Sequence, residues 1–298
     1  MAEINVRNLT KDYGNGKGIF DINLEIEKGE IFGYAGTNDS GKTTTIRHIM
    51  GFLNPDKGNA FVHGKDSWKD AYAIKKLVGY VPGEIAFPDI DTGSRFLKIQ
   101  AELLGVKNMG YTNELIKKLQ LDTSANLKRM SKGMKQKTAI VAAFMSDPEI
   151  LILDEPTNGL DPLMRAAFVD IILDAKKKGR TIFMSSHVFE EMEDTCDRVA
   201  LLKNGRIVSV AKMKDIHHHN IKTYKIEFNV KEEYSLFLQN SFNIIETKGQ
   251  YNQVTIDIDD KDIDLLLEAL KQSNIKFISE KKYTLEQYFN NIYKKELV

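Results

Sequence analysis

The glycine-rich segment at residues 36–43 constrains this chain more than any other feature of its sequence. It reads Gly-Thr-Asn-Asp-Ser-Gly-Lys-Thr, which fits the pattern G-x-x-x-x-G-K-[ST]. The sequence predicts an apolar strand before it, Ile31–Ala35, and a helix after it, Lys42–Met50. In this order, the loop and the helix N-terminus present backbone N–H groups to phosphate oxygens. The segment therefore predicts an α/β domain that binds a nucleotide phosphate.

The side chains of this loop carry the rest of the expected phosphate chemistry. Lys42 adds a positive charge near the β- and γ-phosphates, and the Thr43 hydroxyl is a suitable Mg²⁺ ligand. Asp39 is unusual, because a carboxylate there faces the incoming phosphate. Since Asp tolerates left-handed dihedral angles, we expect its carboxylate to point out of the cradle. The nucleotide-binding residues predicted in this loop are Gly36, Asn38, Ser40, Gly41, Lys42, Thr43 and Thr44.

A second predicted strand ends in two carboxylates. Residues 150–155 read Ile-Leu-Ile-Leu-Asp-Glu. Four apolar residues followed by acids are typical of a buried parallel strand that delivers the acids at the carboxyl edge of its sheet. Together with the phosphate loop, this pattern predicts that Asp154 holds Mg²⁺ through water and that Glu155 polarises the attacking water. The two segments indicate nucleotide hydrolysis.

The pattern of apolar residues divides the chain into two predicted domains. Alternating apolar runs and amphipathic stretches over residues 1–215 predict an α/β domain. Between about 84 and 148 three helical patterns follow one another, which indicates an inserted helical subdomain. Residues 216–298 show the order β-α-β-β-α-β of a small ferredoxin-like α+β domain. Residues 217–220, His-His-His-Asn, are interpreted as a polar junction, because adjacent histidines do not share one helical face.

Composition and charge exclude several classes of protein. In the 298 residues, 42 Lys and Arg balance 42 Asp and Glu, which argues against a general nucleic-acid binder. The single cysteine, Cys196, excludes an intramolecular disulfide and suits a reducing compartment. No signal peptide is expected at the N-terminus, and no run approaches the roughly 18 apolar residues of a membrane span. We therefore expect the chain to reach a membrane only through a partner.

These motifs resemble those of the ATP-binding subunits of ABC transporters, from about residue 6 to residue 210. The resemblance implies a P-loop NTPase core of the ABC ATPase type, with ATP and Mg²⁺ as cofactors and ATP hydrolysis as the activity. It implies that Tyr13 stacks on adenine, as aromatic side chains do on bases. It also implies that His187, after the predicted strand Thr181–Ser185, contacts the γ-phosphate and takes part in catalysis.

Two further segments carry the resemblance. Residues 130–134, Met-Ser-Lys-Gly-Met, stand where the family has its Leu-Ser-Gly-Gly-Gln signature, and Ser131 and Gly133 match it. The resemblance implies that both residues bind the nucleotide held by an opposite subunit, at the N-terminus of the following helix. Residues 158–161 match the family's D-loop, which makes Asp161 a predicted nucleotide-binding residue.

The resemblance also implies two protein partners. A second ATP-binding subunit, the same or a different chain, would close head-to-tail so that each site combines Lys42 with the opposite Ser131. A separate membrane permease would dock near residues 83–90 and hold the chain at the cytoplasmic side of the cell membrane. Here the chain departs from the family, because Gly83 stands where Gln is usual and Glu84 follows it. The chain is most similar to ABC-2-type exporters, which implies peptides or antibiotics as cargo and no nucleic-acid partner.

Two other functions are considered. A soluble ABC ATPase that acts on DNA or ribosomes is disfavoured by the single cassette, the lack of coiled-coil heptads and the neutral charge. A catalytically weak regulatory cassette is suggested by Asp39, Gly83 and the altered signature. Basal ATPase activity, measured with and without the permease, would separate these functions.

Overall fold

The fold is described from a computed structural model that covers residues 2–217, 221–271 and 273–295. The chain divides into two compact units, Met1–Lys212 and Met213–Val298. The division precedes the predicted end of the first domain at residue 215, because helix Met213–His217 belongs to the second unit. Of the predicted polar junction, His217 ends that helix, and residues 218–220 lie outside the described ranges.

The first unit alternates strands and helices along most of its length. Its strands are β1 (Ile4–Asp12), β2 (Gly18–Ile26), β3 (Ile31–Gly36), β4 (Lys57–Val62), β5 (Lys65–Asp66), β6 (Val78–Val81), β7 (Ile150–Asp154), β8 (Thr181–Ser186), β9 (Arg198–Lys203) and β10 (Arg206–Lys212). Its α-helices are α1 (Lys42–Ile49), α2 (Ala71–Leu77), α3 (Gly93–Leu104), α4 (Gly110–Lys118), α5 (Lys132–Phe144), α6 (Pro162–Lys177) and α7 (Phe189–Thr195), with a 3₁₀ turn at Leu127–Arg129.

A six-stranded sheet positions the predicted site. Its order is β10-β9-β3-β8-β7-β6, and every neighbouring pair is parallel except β10 with β9. Strands β3, β7 and β8 are buried along their whole length, as expected for central strands covered on both faces. Because these three strands run in the same direction, the segments that follow Gly36, Asp154 and Ser186 meet at one edge of the sheet.

A second, antiparallel sheet shares the apolar core of this unit. Its order is β2-β1-β4-β5, and its inward side chains pack with those of β3 and α1, including Ile4, Val62 and Ile46. Strands β4 and β5 and helix α2 were not predicted. The reason lies in the sequence of β4, in which only Ala60 and Val62 are buried, so its apolar pattern is too short to recognise.

Helices replace strands between β6 and β7, as the sequence predicts. In this part of the chain α3, α4, the 3₁₀ turn and α5 follow one another. Local residues determine the ends of α3. The Thr92 hydroxyl accepts a hydrogen bond from the Arg95 N–H (3.3 Å), and Gly105 stops the helix in a left-handed conformation, φ 68°. These caps define both ends of α3.

The second unit has its own core and the predicted order of elements. Its strands are β11 (Ile221–Phe228), β12 (Asn243–Lys248), β13 (Gln253–Asp259) and β14 (Ile275–Lys281), and its α-helices are α8 (Met213–His217), α9 (Lys231–Phe237), α10 (Ile263–Leu270) and α11 (Leu285–Lys295), with 3₁₀ turns at Gly249–Tyr251 and Asp260–Asp262. The antiparallel sheet has the order β12-β13-β11-β14. Phe237 of α9 and Leu266 of α10 pack on Ile226 and Ile256 of the two central strands.

None of the helices within the described ranges combines the length and the apolar character that crossing a bilayer requires.

Candidate nucleotide-binding site

The loop between β3 and α1 forms the cradle predicted from the sequence. Asp39 and Gly41 both adopt positive φ, 64° and 107°, and turn the chain from the strand into the helix. The Lys42 ammonium folds back over the loop and donates to the carbonyl oxygens of Gly36 (2.8 Å) and Thr37 (3.0 Å). No side chain caps α1, which leaves the N–H groups of its first turn available to an anion.

Lys42, Glu155 and His187 form a continuous chain of polar contacts. The Lys42 ammonium, only 6% exposed, lies 3.2 Å from Glu155 Oε1. The other carboxylate oxygen, Glu155 Oε2, lies 2.6 Å from His187 Nδ1. Because a carboxylate only accepts hydrogen bonds, this contact assigns the proton to Nδ1. Glu155 therefore joins the predicted phosphate-binding lysine to the second predicted catalytic residue, His187.

Asp154 is fully buried at the end of β7. Its Oδ1 accepts a hydrogen bond from the Ser185 hydroxyl (2.6 Å), whereas Oδ2 makes no hydrogen bond within the described part of the chain. Burial raises the pKa of this carboxyl group, and the hydroxyls of Ser185 and Thr43 oppose that shift. Buried polar atoms are rarely left without a partner. An orphaned carboxylate oxygen beside the Thr43 hydroxyl is a set of hard oxygen donors that fits Mg²⁺.

Strand β8 fixes the backbone around the two acids. The Glu155 N–H donates to the Ser185 carbonyl oxygen (3.2 Å) and hydroxyl oxygen (3.1 Å). Glu155 itself has a φ of 50°, an uncommon left-handed conformation for a non-glycine residue. Ser185 therefore holds both Asp154 and the turn that aims Glu155, a role that sequence analysis did not assign to it.

A cleft of about 1000 Å³ opens over the loop and the acids. Tyr13, with a half-exposed ring, lines this cleft together with residues of the phosphate loop and Glu155. The predicted residues that line it are Tyr13, Asn38, Gly41, Lys42, Thr43, Thr44 and Glu155. A cleft of this size fits a nucleotide, which suits the predicted ligand.

Sequence analysis missed several residues that line the same cleft. They are Gly16, Lys17, Gly18, Arg47, Asn204 and Gly205. The Asn204–Gly205 turn joins β9 to β10, and tertiary contacts hold it at the cleft. The Gly205 N–H donates to the Ser40 carbonyl (3.0 Å), and the Gly205 carbonyl accepts from Phe20 N–H (2.7 Å). A side chain at Gly205 would place its Cβ 2.2 Å from the Gly18 carbonyl oxygen, which explains the glycine.

Of the five predicted nucleotide-binding residues that do not line this cleft, three lie at the starts of α5 and α6. The Ser131 hydroxyl caps α5 and accepts from the Met134 N–H (3.2 Å). The Asp161 carboxylate caps α6 and accepts from the Met164 N–H (3.0 Å). Gly133 lies on α5, where an added Cβ would approach the Gly159 carbonyl oxygen to 2.7 Å. These three residues therefore do not line the cleft of their own subunit.

The other two of these predicted residues, Gly36 and Ser40, pack within the loop and do not line the cleft. The Gly36 carbonyl accepts from the Lys42 ammonium. Ser40 is buried, and its hydroxyl, which has no hydrogen-bond partner, would meet a Cβ added at Gly36 at 2.5 Å. Gly36 is therefore a packing requirement of the loop.

Comparisons with known proteins agree with this geometry. The model of the ABC transporter family matches residues 19–158. The bacitracin transport ATP-binding protein BcrA of Bacillus licheniformis is 31% identical over 247 residues, 81% of this chain and 80% of that protein. An uncharacterized ABC transporter ATP-binding protein of Methanocaldococcus jannaschii is 32% identical over 271 residues, covering 87% of this chain and 99% of the relative.

Solved structures show the same fold. The structure of an ATP-binding subunit of an ABC transporter superimposes with a TM-score of 0.65 at 30% identity, covering 72% of this chain and 91% of that one. The dimeric structure of a bacterial ABC transporter cassette gives a TM-score of 0.63 at 22% identity, with 70% and 98% covered. The chain therefore belongs to the ABC transporter family, in which it is an ATP-binding cassette with ATPase activity.

Proposed function

We propose that this protein is the ATP-hydrolysing subunit of an ABC exporter and that two ATP-binding subunits close around two ATP molecules to drive a separate permease. The observation that carries this proposal is the contact chain Lys42–Glu155–His187 beside the orphaned Asp154 oxygen. It brings a phosphate-binding cation, a base and a set of metal-binding oxygens to one edge of the sheet.

The residues of the cleft divide the work of binding. Loop amides and the Lys42 ammonium hold the β- and γ-phosphates, and Tyr13 stacks on the base. Thr43 and Asp154 would hold Mg²⁺, which neutralises charge on the triphosphate. Because Lys42 also contacts Glu155 Oε1 at 3.2 Å, a phosphate that binds Lys42 competes with this carboxylate. Nucleotide binding thereby frees Glu155 to act on water.

Hydrolysis then depends on Glu155 and His187. Glu155 accepts a hydrogen bond from the attacking water and polarises it. His187, bonded to Glu155 Oε2 at 2.6 Å, keeps the carboxylate aimed at the cleft and reaches the γ-phosphate. The backbone bonds from Glu155 to Ser185 maintain this geometry during the reaction.

A second subunit completes each site. Ser131 and Gly133 lie at the N-terminus of α5 and outside the cleft of their own subunit, so they are free to contact nucleotide held by an opposite one. The dimer reported for a cassette of the same fold supports this arrangement. Contacts that exist only with ATP bound make closure depend on the γ-phosphate, and hydrolysis reverses it.

Coupling to transport requires a permease at the membrane. The relative named as a bacitracin transport protein supports export of peptides or antibiotics as the physiological role. We place the chain at the cytoplasmic face of the membrane, held there by the permease, which docks near residues 83–90.

The first test replaces the phosphate-binding lysine. Lys42→Ala removes the charge that binds the γ-phosphate, so we expect strongly weakened binding of a fluorescent ATP analogue and no phosphate release. Unchanged binding and turnover in the folded variant would overturn the proposal. Lys28→Ala, at an exposed lysine outside the cleft, is the matched control.

The second test separates binding from hydrolysis. Glu155→Gln keeps the shape of the side chain but cannot act as a base, so we expect nucleotide binding with phosphate release reduced about 10²–10⁴-fold. The variant should accumulate as the ATP-bound dimer in sedimentation experiments. Wild-type turnover would remove Glu155 from the catalytic role.

A second candidate function is that of a catalytically weak regulatory cassette. It is favoured by the Asp39 carboxylate on the phosphate loop and by Gly83, which brings no side chain to the cleft. Phosphate release by the purified chain, alone and with its permease, distinguishes the two functions. A rate that stays near background in both cases would favour the regulatory function.

A further inference from the structure

The N-terminal turn of α5 presents cationic groups without an acidic partner. The Lys132 ammonium donates to the neutral Asn158 Oδ1 (2.7 Å). Over the ranges that the structure covers, neither Lys132 nor Lys135 forms an ion pair. Both lysines line a cavity of about 340 Å³ together with Asn158, Gln136 and Glu84. The lysine, asparagine and glutamine side chains are able to donate hydrogen bonds to an anion.

Gln136 gives independent evidence that this cavity binds an acceptor. This residue lines the same cavity and is only 2% exposed, and among the described residues its Nε2 has no hydrogen-bond partner. An amide nitrogen that is buried without an acceptor costs free energy, because its bond to water is lost. Glu84 lines the same cavity, but within the described residues no hydrogen bond or ion pair joins its carboxylate to Gln136 or to either lysine. The Gln136 amide is therefore left for an acceptor from outside the subunit.

The phosphate loop carries the complementary charge. Asp39 is exposed on the rim of the nucleotide cleft, and no cation pairs with it in the part of the chain described. A carboxylate on the rim of the cleft repels a bound triphosphate, and a nearby cation offsets that repulsion. A cation that pairs with Asp39 would therefore favour nucleotide binding at this loop.

We propose that Lys132 of one subunit pairs with Asp39 of a second copy of this chain. The inference rests on the proposed function, in which Ser131 of one subunit faces the Lys42 loop of the other. Lys132 directly follows Ser131, and Asp39 belongs to the same loop as Lys42. The two unpaired charges therefore lie on the two segments that the closed dimer brings together.

The contact with Asn158 makes this exchange inexpensive. Asn158 offers Lys132 a neutral oxygen, whereas a carboxylate adds the attraction of an opposite charge. The ammonium can therefore leave Asn158 for Asp39 when a second copy arrives. Asn158 belongs to residues 158–161, which match the D-loop. Loss of the Lys132–Asn158 bond on closure of the dimer therefore also changes the contacts of the segment that precedes Asp161.

A charge-swap experiment tests the pairing. Dimerisation with a non-hydrolysable ATP analogue is measured by analytical ultracentrifugation for wild type, Asp39→Lys, Lys132→Asp and the double variant. Each single reversal places like charges opposite each other, so we expect dimerisation to weaken at least about tenfold. The double variant restores opposite charges and should return to within about threefold of wild type. Lys137→Asp, on the same helix but outside the cavity lining, is the control for net charge.

Asp39 has a positive φ that lysine tolerates poorly, so a milder pair of variants accompanies the swap. Asp39→Asn keeps a residue suited to left-handed backbone, and Lys132→Gln removes the charge without reversing it. In a double-mutant cycle these changes should be non-additive if the side chains are paired. Additive effects would overturn the pairing. Binding of the analogue to monomers is measured separately for every variant.

The outcomes distinguish the inference from the proposed function. If wild type dimerises but the double variant dimerises as weakly as Lys132→Asp, the pairing is wrong. In that case Lys132 contacts the triphosphate and does not contact Asp39. If wild type binds the analogue yet stays monomeric, the second copy is excluded as the partner, while ATP binding stands. If wild type fails to bind nucleotide, the proposed function itself is contradicted.

Discussion

At the scale of single residues, the site depends on close contacts that leave little room for change. Asp154 is held on one side by the Ser185 hydroxyl and faces Gly83 on the other. A Cβ added at Gly83 would lie 2.8 Å from Asp154 Oδ2 and 3.1 Å from its Cγ. The glycine that departs from the family pattern is therefore the residue that leaves space for this carboxylate.

Restoring the usual glutamine should harm the enzyme. Gly83→Gln pushes on Asp154, which cannot move away without losing its bond to Ser185. We expect the free energy of unfolding to fall by about 1–3 kcal/mol, a typical cost of overpacking. We also expect Mg²⁺ to support phosphate release less well than in wild type. Urea unfolding and a Mg²⁺ titration of the rate measure both effects.

The control for this prediction is Ala86→Gln, which adds the same side chain at an exposed position of the same loop. That variant should behave like wild type in both assays. If Gly83→Gln instead increased the rate of phosphate release, a metal-facing side chain at position 83 would help the reaction. The expectation that this position must have no side chain would then be wrong.

At the scale of elements, helix α1 links the phosphate loop to the antiparallel sheet. His48, in the last turn of α1, is 2% exposed, and its Nδ1 donates to the Thr44 carbonyl (2.8 Å). Burial lowers the pKa of this histidine, and the Lys11 ammonium adds to the effect, whereas the carbonyls of Thr44 and Asn54 and the Asp56 carboxylate oppose it. His48 is therefore neutral in the folded protein near pH 7.

This histidine should make stability depend on pH. In the unfolded chain a histidine takes up a proton near pH 6.5, and folded His48 resists that proton, so acidification favours unfolding. Its contribution to stability is present above about pH 6.5 and is lost as the pH falls below it. We expect wild type to lose more free energy of unfolding between pH 7 and 5 than His48→Phe, with a difference of at most about 1.4 kcal/mol per pH unit.

Urea unfolding at pH 5, 6, 7 and 8 measures this difference. The two proteins should show parallel pH dependence from pH 7 to pH 8, where His48 is neutral in both folded and unfolded chains. Parallel curves down to pH 5 would show that His48 is protonated as readily in the folded protein as in the unfolded one.

At the scale of the whole molecule, the two units have separate cores. The residues that line the nucleotide cleft, from Tyr13 to Gly205, all belong to the unit that ends at Lys212. The second unit packs its helices on its own sheet. Helix α8 contacts α11 and so belongs to the second unit, although it precedes the first strand of that unit.

A fragment of residues 1–212 should therefore fold and bind the ATP analogue as the full chain does. A cooperative thermal transition and a fluorescence titration test these expectations. A fragment of residues 1–217 keeps Met213 and Ile216, which are buried in the intact chain, and exposes them without α11. We expect this longer fragment to be more prone to aggregation. Failure of the shorter fragment to fold would mean that the units depend on each other.

Local sequence determined a large part of the fold. The predicted strand that ends in Asp154 and the predicted run of helices between β6 and β7 are both present, because uninterrupted apolar runs and clear caps define them. By contrast, β4 and α2 were missed, because their few buried side chains leave no recognisable period. Burial there comes from neighbours that are distant in sequence.

By itself, the sequence determined the cradle around Lys42 and the two acids that end β7, because a phosphate loop needs glycines and a lysine at adjacent positions. Tertiary structure alone decided that Ser185 holds Asp154, that the Asn204–Gly205 turn closes the cleft and that Gly83 must lack a side chain. Each of these contacts joins segments far apart in the chain. Their physical basis is the parallel sheet, which brings strand ends to one edge whatever their separation in sequence.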